Sequence, residues 1–207
     1  MRVLYIGGTG EISYACVLAS TQAGQHCTVF NRGQSDEPPP ATVRHIAGDI
    51  NDPAACGELA REHFDVVCQF IAYTPADIQR DIDVFGGNCG QYVFISSASA
   101  YRKPPTTYRL TEDVPLGNPF WAYSQAKADM EAILMRAHAS GRIAATIVRP
   151  SHTLRRRFPG TFIKGDVNAW RMQNGRPVIV PGDGNSLWTL TPAEDFAGPF
   201  VKLFGRR

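Results

Sequence analysis

The sequence lacks a strong excess of charge of either sign, and it lacks long hydrophobic runs. Its 207 residues carry 21 Lys and Arg against 19 Asp and Glu. The net charge is therefore close to zero and does not indicate nucleic acid or a membrane surface as a partner. No apolar run reaches the roughly 18 residues that a membrane helix needs. The N-terminus has the pattern of a strand, not of a signal peptide. We therefore expect a cytoplasmic protein without membrane contact.

Clustered cysteines and histidines are also lacking. Five cysteines are spread along the chain without CxxC spacing, and the five histidines form no HxxxH pair. No metal site is therefore predicted. Cys16 and Cys68 lie in apolar runs, as is typical of small core residues, and this cysteine usage favours a reducing compartment.

What the sequence does contain is a regular alternation of strand-like and helix-like segments. The predicted strands are RVLYI, CTVFN, VRHIA, DVVCQFIA, QYVFISS and AATIVRP. Helices are predicted between them, including one with Asp52 as N-cap and Pro53 at its first position, and a long one over 119–140. This series favours an α/β fold with a Rossmann-type, doubly wound parallel sheet and helices on both faces. Ligands of such sheets bind at the carboxyl ends of the strands.

After about Ser151 the alternation becomes irregular. The pattern there predicts a basic loop, a helix near 167–173, a strand PVIVPG over 177–182 and a helix over 193–203. The basic loop contains Arg155, Arg156 and Arg157. These arginines are interpreted either as a solvated loop or as a contact to a substrate phosphate.

The first predicted strand runs into a glycine-rich turn, in the stretch VLYIGGTGEIS. Gly7 would allow the tight turn, and Gly10 would let the backbone approach a pyrophosphate at the start of the next helix. Ser13 takes the third small position, where we expect it to serve helix–strand packing. Glu11 would repel a phosphate, so we expect its carboxylate to point away while the backbone N–H groups of residues 10–12 face the ligand. The loop therefore predicts a dinucleotide site, with a plain structural turn as the alternative, and its candidate residues are Gly7, Thr9, Gly10, Glu11 and Ile12.

Two further positions bear on the kind of dinucleotide. The second strand ends in Asn31 and Arg32, where an acidic residue would bind the ribose hydroxyls of NAD. Because arginine suits a 2′-phosphate, NADP is favoured over NAD, with a surface arginine as the alternative. Asp49, followed by Ile50, is expected to accept a hydrogen bond from the adenine amino group, or else to serve as a turn or cap residue.

The fifth predicted strand ends in Ser96 and Ser97, and Tyr123 and Lys127 follow four residues apart on one helix face. We expect the Lys127 ammonium to lower the Tyr123 pKa from about 10 and to bond the nicotinamide ribose. Ser97 would polarise a substrate hydroxyl or carbonyl while Tyr123 moves the proton that accompanies hydride transfer. The alternative is a core tyrosine beside a lysine that extends to solvent.

The motifs GGTGEIS, GDIND, SSASAY and YSQAK, in this order along the whole chain, resemble the extended short-chain dehydrogenase/reductase family, in its NAD-dependent epimerase/dehydratase group. The resemblance implies an NAD(P)-dependent epimerase or oxidoreductase that acts on a hydroxyl or carbonyl of a sugar or nucleotide sugar. It implies an NAD(P)-binding domain over 1–150, and a partial substrate-binding region over 151–207 packed on the same domain. It also implies that the cofactor is lined by Ile71, Ala72, Tyr73, Pro150 and Ser151.

Other features of the resemblance concern partners and departures. The helix carrying Tyr123 often forms a dimer interface in the family, so we expect a homodimer. Sugar-nucleotide 4,6-dehydratases usually carry an Asp-Glu pair directly after the strand-end Ser or Thr, whereas Ala98 and Ser99 follow Ser97 here, which argues against that reaction. The family's substrate region usually extends further, so we expect this one to be incomplete or truncated.

A subgroup that includes chloroplast stem-loop RNA-binding proteins shares NRG, GQYVFISSASAY and GRPVIVP with this chain. Those proteins have lost the catalytic tyrosine, which is present here as Tyr123. An RNA-binding or regulatory role without catalysis is therefore the alternative function.

Overall fold

The structure is a computed structural model that describes residues 1–156, 165–185 and 187–206, and it is built around a six-stranded parallel sheet. The strands are β1 (Arg2–Ile6), β2 (His26–Asn31), β3 (Arg44–Ala47), β4 (Phe64–Gln69), β5 (Cys89–Ile95) and β6 (Ala145–Val148). Their spatial order is β3-β2-β1-β4-β5-β6, and every neighbouring pair is parallel. The order reverses between β1 and β4, so the predicted Rossmann-type topology is confirmed, with its crevice at that point.

Helices cover both faces of the sheet. They are α1 (Ser13–Gln22), α2 (Pro53–Ala60), α3 (Pro75–Phe85), α4 (Ala122–Ala139) and α6 (Ala193–Val201), and a further helix, α5 (Gly165–Gln173), precedes α6 in the chain. Residues of α2, α3 and α4 form one hydrophobic core with Leu4, Ile6 and Val67 of the sheet. Residues of α1 and α6 form a second core with alternating sheet residues such as Val3 and Tyr5. The period of two along each strand thus divides its side chains between two cores.

Local sequence signals explain where two of the helices begin. The Asp52 side chain accepts a hydrogen bond from the Ala54 N–H at 3.0 Å, and Pro53 follows at the first helical position, as predicted for α2. Helix α3 begins with a capping box, in which Thr74 and Asp77 each accept a backbone N–H of the other residue. The long helix begins at Ala122, three residues later than the sequence pattern predicts.

The strand predicted over 177–182 is wrong. Residues 177–180 have no regular structure, and Ile179 and Val180 are more than half exposed. An apolar run forms a strand only where a neighbouring strand and a core accept it, and this run has neither among the described residues. Instead, β7 (His152–Leu154) and β8 (Leu190–Pro192) form a small parallel pair. Each has three residues, too short for a periodic pattern to be recognised.

The end of the described chain returns to the main sheet. Phe200 of α6 is 1% exposed and packs edge-on against Phe70, just beyond β4. The Gln91 side chain of β5 donates to the carbonyl oxygens of Leu203 and Arg206 at 3.2 and 2.9 Å. In the described ranges no helix is long and apolar enough to span a bilayer.

Candidate active site

A cavity of about 1170 Å³ opens at the carboxyl ends of the central strands, at the point where the strand order reverses. Nearly all of the site residues predicted from the sequence line this cavity. Ala72 does not line it and is fully buried. The predicted site residues along its wall are Gly7, Thr9, Gly10, Glu11, Ile12, Asn31, Arg32, Asp49, Ile50, Ile71, Tyr73, Ser97, Tyr123, Lys127, Pro150 and Ser151.

The glycine-rich turn is tight for steric reasons. Gly8 has φ of 72°, and a Cβ placed there would lie 2.7 Å from Val29 Cγ2. Such an approach would force the chains apart, and the left-handed φ is itself unfavourable for other residues. Sequence reasoning did not assign Gly8 a role, although its pairing with Gly7 was the available signal. Helix α1 then begins without a side-chain cap on its N-terminal N–H groups.

Ser13 does more than pack. It is 3% exposed, and its hydroxyl accepts the Gly10 N–H at 2.9 Å. One of the N–H groups predicted to face a pyrophosphate is therefore bonded within the loop in this structure, and it would reach a phosphate only if the Ser13 hydroxyl turned away. Packing alone was an incomplete account of this position.

Glu11 bonds to the segment that follows β7. Its carboxylate accepts the Arg156 backbone N–H at 3.1 Å. In the same region Arg155 and Arg156 both form ion pairs with Glu37, and hydrogen bonding from Arg155 lowers the Glu37 pKa to about 2. Two of the three arginines of the basic loop thus pair with a carboxylate, while Arg157 lies outside the described residues. The orientation of Glu11 relative to a bound pyrophosphate stays a prediction.

Asn31, at the end of β2, holds the glycine-rich turn through hydrogen bonds. Its amide nitrogen donates to the Gly7 carbonyl at 2.8 Å and to the Thr9 hydroxyl at 3.1 Å. Its amide oxygen accepts the Gly33 N–H at 2.8 Å and lies 2.9 Å from a ring nitrogen of His45. These partners engage the whole amide, so Asn31 positions the turn in this structure, while its contact with a cofactor stays a prediction.

Arg32 and Asp49 lie at the same end of the cavity. Arg32 is exposed along its wall, where the guanidinium can turn toward a ligand. Asp49 accepts the Asn51 N–H at 2.9 Å through one carboxylate oxygen, which is the turn role that the sequence left open. Ile50 beside it is 5% exposed and joins the core.

The serine, tyrosine and lysine converge where β5 and α4 meet. Ser97 follows the end of β5, and Tyr123 and Lys127 lie one turn apart on α4. Lys127 is 2% exposed, and its Nζ donates to the carbonyl oxygens of Ala72 and Ile95 at 2.8 and 2.9 Å. These two bonds leave one of its three N–H donors for a ligand.

The electrostatics of this group differ from the expectation. Burial lowers the pKa of Lys127 to about 8, with Glu131 and Asp77 acting in the opposite direction. Burial raises the pKa of Tyr123, and Tyr73 adds to the rise while a hydrogen bond with Ser97 opposes it. The predicted lowering of the Tyr123 pKa by Lys127 is therefore not found here. Desolvation is the largest influence on the phenol, while the ammonium is bonded to two carbonyl dipoles and lies 5.6 Å from the centroid of the tyrosine ring.

Hydrogen bonds between hydroxyl groups link Ser97 to Ser99 and Ser124. Ser124, fully buried beside Tyr123, donates to the Ser99 hydroxyl at 2.7 Å. The Ser99 hydroxyl lies 2.9 Å from that of Ser97, and the Ser99 N–H also donates to Ser97. Sequence reasoning assigned no role to Ser99 or Ser124. The only signal was the presence of hydroxyl side chains two residues from Ser97 and directly after Tyr123.

Comparison with known proteins identifies the family. The model of the NAD dependent epimerase/dehydratase family matches residues 3–206. The chain belongs to this family. The predicted resemblance is thereby confirmed at the level of the family.

Two curated proteins are similar over nearly the whole chain. A 2′-dehydrokanamycin reductase of Streptomyces kanamyceticus is 28% identical over 209 residues, covering 98% of this chain and 58% of that protein. The chloroplast stem-loop binding protein of 41 kDa b of Arabidopsis thaliana is 24% identical, covering 99% and 55%. The chain thus spans little more than half the length of these relatives.

Solved structures confirm the fold. An epimerase from Methanothermobacter thermautotrophicus superposes with a TM-score of 0.85 at 18% identity, over 100% of this chain and 68% of that one. A UDP-glucose 4-epimerase from Thermus thermophilus, solved with NAD, superposes with a TM-score of 0.80 at 20% identity, over 100% and 75%.

Proposed function

We propose that this chain carries the NAD(P)-binding and catalytic part of an epimerase or oxidoreductase that acts on a hydroxyl or carbonyl of a sugar-like substrate. One observation carries the proposal. Ser97, Tyr123 and Lys127 line the same cavity as the glycine-rich turn, which is the arrangement needed to bring a reacting carbon and a proton donor to a dinucleotide. Family membership and the similarity to a reductase support it.

The residues of the cavity suit a dinucleotide. The tight turn at Gly8, where a Cβ would meet Val29 at 2.7 Å, keeps the backbone close to the strand, and the uncapped start of α1 offers N–H groups and a positive dipole end to phosphates. Ile71, Tyr73, Pro150 and Ser151 would enclose the rest of the molecule. When bound, the nicotinamide supplies or accepts a hydride.

Ser97, Tyr123 and Lys127 would have different roles at the substrate oxygen. In the direction of reduction, the Ser97 hydroxyl donates a hydrogen bond to the substrate carbonyl oxygen, and Tyr123 delivers the proton as negative charge develops there. The Tyr123 phenol is protonated before the transfer, since burial raises its pKa above the ordinary value, and the same rise makes it a weaker acid. The remaining N–H of Lys127 would bond a ribose hydroxyl of the cofactor, and its positive charge would stabilise the phenolate left behind. In the direction of oxidation the same groups act in reverse.

We propose NADP as the preferred cofactor. The support is Arg32, which is exposed at the cavity wall just after β2 and would pair with a 2′-phosphate. No acidic residue occupies positions 31 or 32 to bind both ribose hydroxyls of NAD. Comparing the affinities of NADP and NAD for the chain by calorimetry tests this preference, and equal affinities would contradict it.

The central test is Tyr123→Phe. We expect turnover to fall by about 100-fold or more, because the proton donor is lost, while cofactor affinity stays within about twofold because the ring remains. Nucleotide sugars and keto sugars would be screened through the absorbance of the reduced nicotinamide for net redox turnover, and by separating the product sugars for epimerisation. Tyr108→Phe, at a fully exposed tyrosine, is the matched control and should leave turnover unchanged. Full turnover in Tyr123→Phe would refute the proposal.

The second candidate is an RNA-binding role without catalysis. It is favoured by the similarity to the chloroplast stem-loop binding protein over 99% of this chain. The complete Ser97, Tyr123 and Lys127 set and the net charge of +2 argue for the enzyme instead. A gel-shift experiment with a structured RNA at physiological salt separates the two, since the enzyme proposal expects no shifted band.

A further inference from the structure

Next to the proposed catalytic group lies an ion pair with a buried carboxylate, which the mechanism does not use. Glu131 is 1% exposed, and Arg149, just after β6, binds it with two guanidinium nitrogens. The shortest of these contacts joins Arg149 Nη2 and Glu131 Oε2 at 2.7 Å. The third Arg149 nitrogen, Nη1, donates to the Tyr101 hydroxyl at 3.0 Å. Burying the Glu131 carboxylate is costly, which makes the position of this pair informative.

Glu131 is tied to the catalytic group through two routes. It lies one helical turn beyond Lys127 on α4, and so on the same helix face. It also accepts a hydrogen bond from the Ser96 hydroxyl. Lys127 meanwhile holds the carbonyl of Ile95, the residue just before Ser96. Two successive residues at the end of β5 are thus held by two successive turns of α4, and Ser97 comes next.

We propose that Glu131 is a positioning residue for this site, which fixes the end of β5 beside Ser97 and supplies the negative charge that keeps the buried Lys127 protonated. Arg149 holds the Glu131 carboxylate in place and moderates its charge. The inference deepens the proposed function and rests on it for the meaning of Lys127. Burial acts against the protonated lysine, and Glu131 is the largest influence in its favour.

The groups around Lys127 allow the effect of Glu131 to be isolated. Three ring centroids lie within 5.6 Å of its Nζ, those of Tyr73, Phe94 and Tyr123. Asp77 of α3 is the other carboxylate that favours the protonated form. All of these groups remain unchanged when Glu131 or Arg149 is replaced.

The test is a pH titration of lysine Cε resonances in the full 207-residue chain labelled with ¹³C-lysine. The sequence has four lysines, and a Lys127→Arg sample assigns the resonance of Lys127. We expect Glu131→Gln to shift the Lys127 midpoint downward by about one pH unit. Arg149→Met should shift it upward, because it removes a positive charge while the Glu131 carboxylate keeps its hydrogen bond from Ser96. Asp129→Asn, at an exposed residue of α4, is the matched control and should leave the midpoint within about 0.2 units.

Opposite shifts in the two variants support the proposal. An unchanged midpoint in Glu131→Gln, or shifts of the same sign in both variants, would overturn it. If one variant fails to fold, the sign of the shift in the other decides. The titration needs no substrate, so it fails or succeeds independently of the Tyr123→Phe assay, and loss of the proposed function would leave its result readable.

Discussion

Single residues in the glycine-rich turn carry much of the evidence for a dinucleotide site. Gly8 and Gly24 have nearly the same left-handed φ, 72° and 74°. They differ in their surroundings, because a Cβ at Gly8 would lie 2.7 Å from a Val29 methyl group, whereas a Cβ at Gly24 would have nothing within 4 Å. Comparing substitutions at Gly8 and Gly24 therefore distinguishes the effect of backbone strain from that of the steric contact with Val29.

We expect Gly24→Ala to lower the free energy of unfolding by about 1 kcal/mol, from backbone strain alone. Gly8→Ala should cost about 1–3 kcal/mol more, because the added methyl group also displaces Val29. It should weaken cofactor binding as well, since the turn lines the cavity, whereas Gly24→Ala should not. Urea unfolding and calorimetric titration measure the two effects. Equal losses in both variants would show that the contact with Val29 is unimportant.

Among the secondary structure elements, the start of α3 has the clearest link to the cavity. Asp77 Oδ2 accepts the backbone N–H groups of Tyr73 and Thr74, both at 2.9 Å, and Asp77 Oδ1 pairs with Arg80 at 2.9 Å. These bonds hold the segment between β4 and α3, which forms part of the cavity wall. Although burial acts to raise the pKa of Asp77, the hydrogen bonds from Tyr73 and Thr74 outweigh it and lower the pKa below its ordinary value.

The sign of the resulting pH dependence follows from this lowered pKa. The stabilisation by Asp77 is fully present above the unfolded-state pKa of about 3.9, and it is lost as the pH falls through the lower folded-state value. We expect Asp77→Asn to reduce stability by about 1–2 kcal/mol at neutral pH, with the difference from the unmodified chain shrinking below about pH 4. Asp83→Asn, on the same helix but in an exposed pair with Arg142, should change stability by less than about 0.5 kcal/mol. A pH-independent difference for Asp77→Asn would contradict this account.

The elements with the strongest periodic patterns were predictable from the sequence. The buried runs RVLYI and QYVFISS and the proline-marked start of α2 could be recognised because local preference and burial agree there. The run PVIVPG misled the prediction, since its apolar residues are largely exposed in the described structure. The three-residue strands β7 and β8 depend on each other and not on any local pattern.

The site was predictable to the extent that motifs carry it. Spacing alone placed Tyr123 and Lys127 on one face of a helix and located the glycine-rich turn. The contacts of Asn31, Ser13 and Glu131 could not be predicted, because each depends on a partner that only the fold brings near. The rise of the Tyr123 pKa likewise reflects the depth of burial, which local sequence does not reveal.

At the scale of the whole molecule, the chain after residue 150 is not merely an appendage of the sheet. Helix α6 packs against α1, and Phe200 joins the core that contains Val3, Tyr5 and Val93. The division into a cofactor domain over 1–150 and a substrate region over 151–207 remains a proposal. The packing of α6 implies that the two parts share one cooperative unfolding unit.

Phe200→Ala tests this cooperativity. We expect it to lower the free energy of unfolding by about 3–5 kcal/mol, because it removes a ring that contacts Phe70, Phe196 and Phe204. Far-ultraviolet circular dichroism in urea is the suitable measurement, since the three tryptophans are all more than half exposed and report poorly on the core. The slope of the transition should be unchanged, because the same surface is exposed on unfolding. Phe120→Ala, at a ring that is 77% exposed, should cost less than about 0.5 kcal/mol. A loss below about 1 kcal/mol for Phe200→Ala, or a transition that splits in two, would mean that α6 unfolds separately from the sheet.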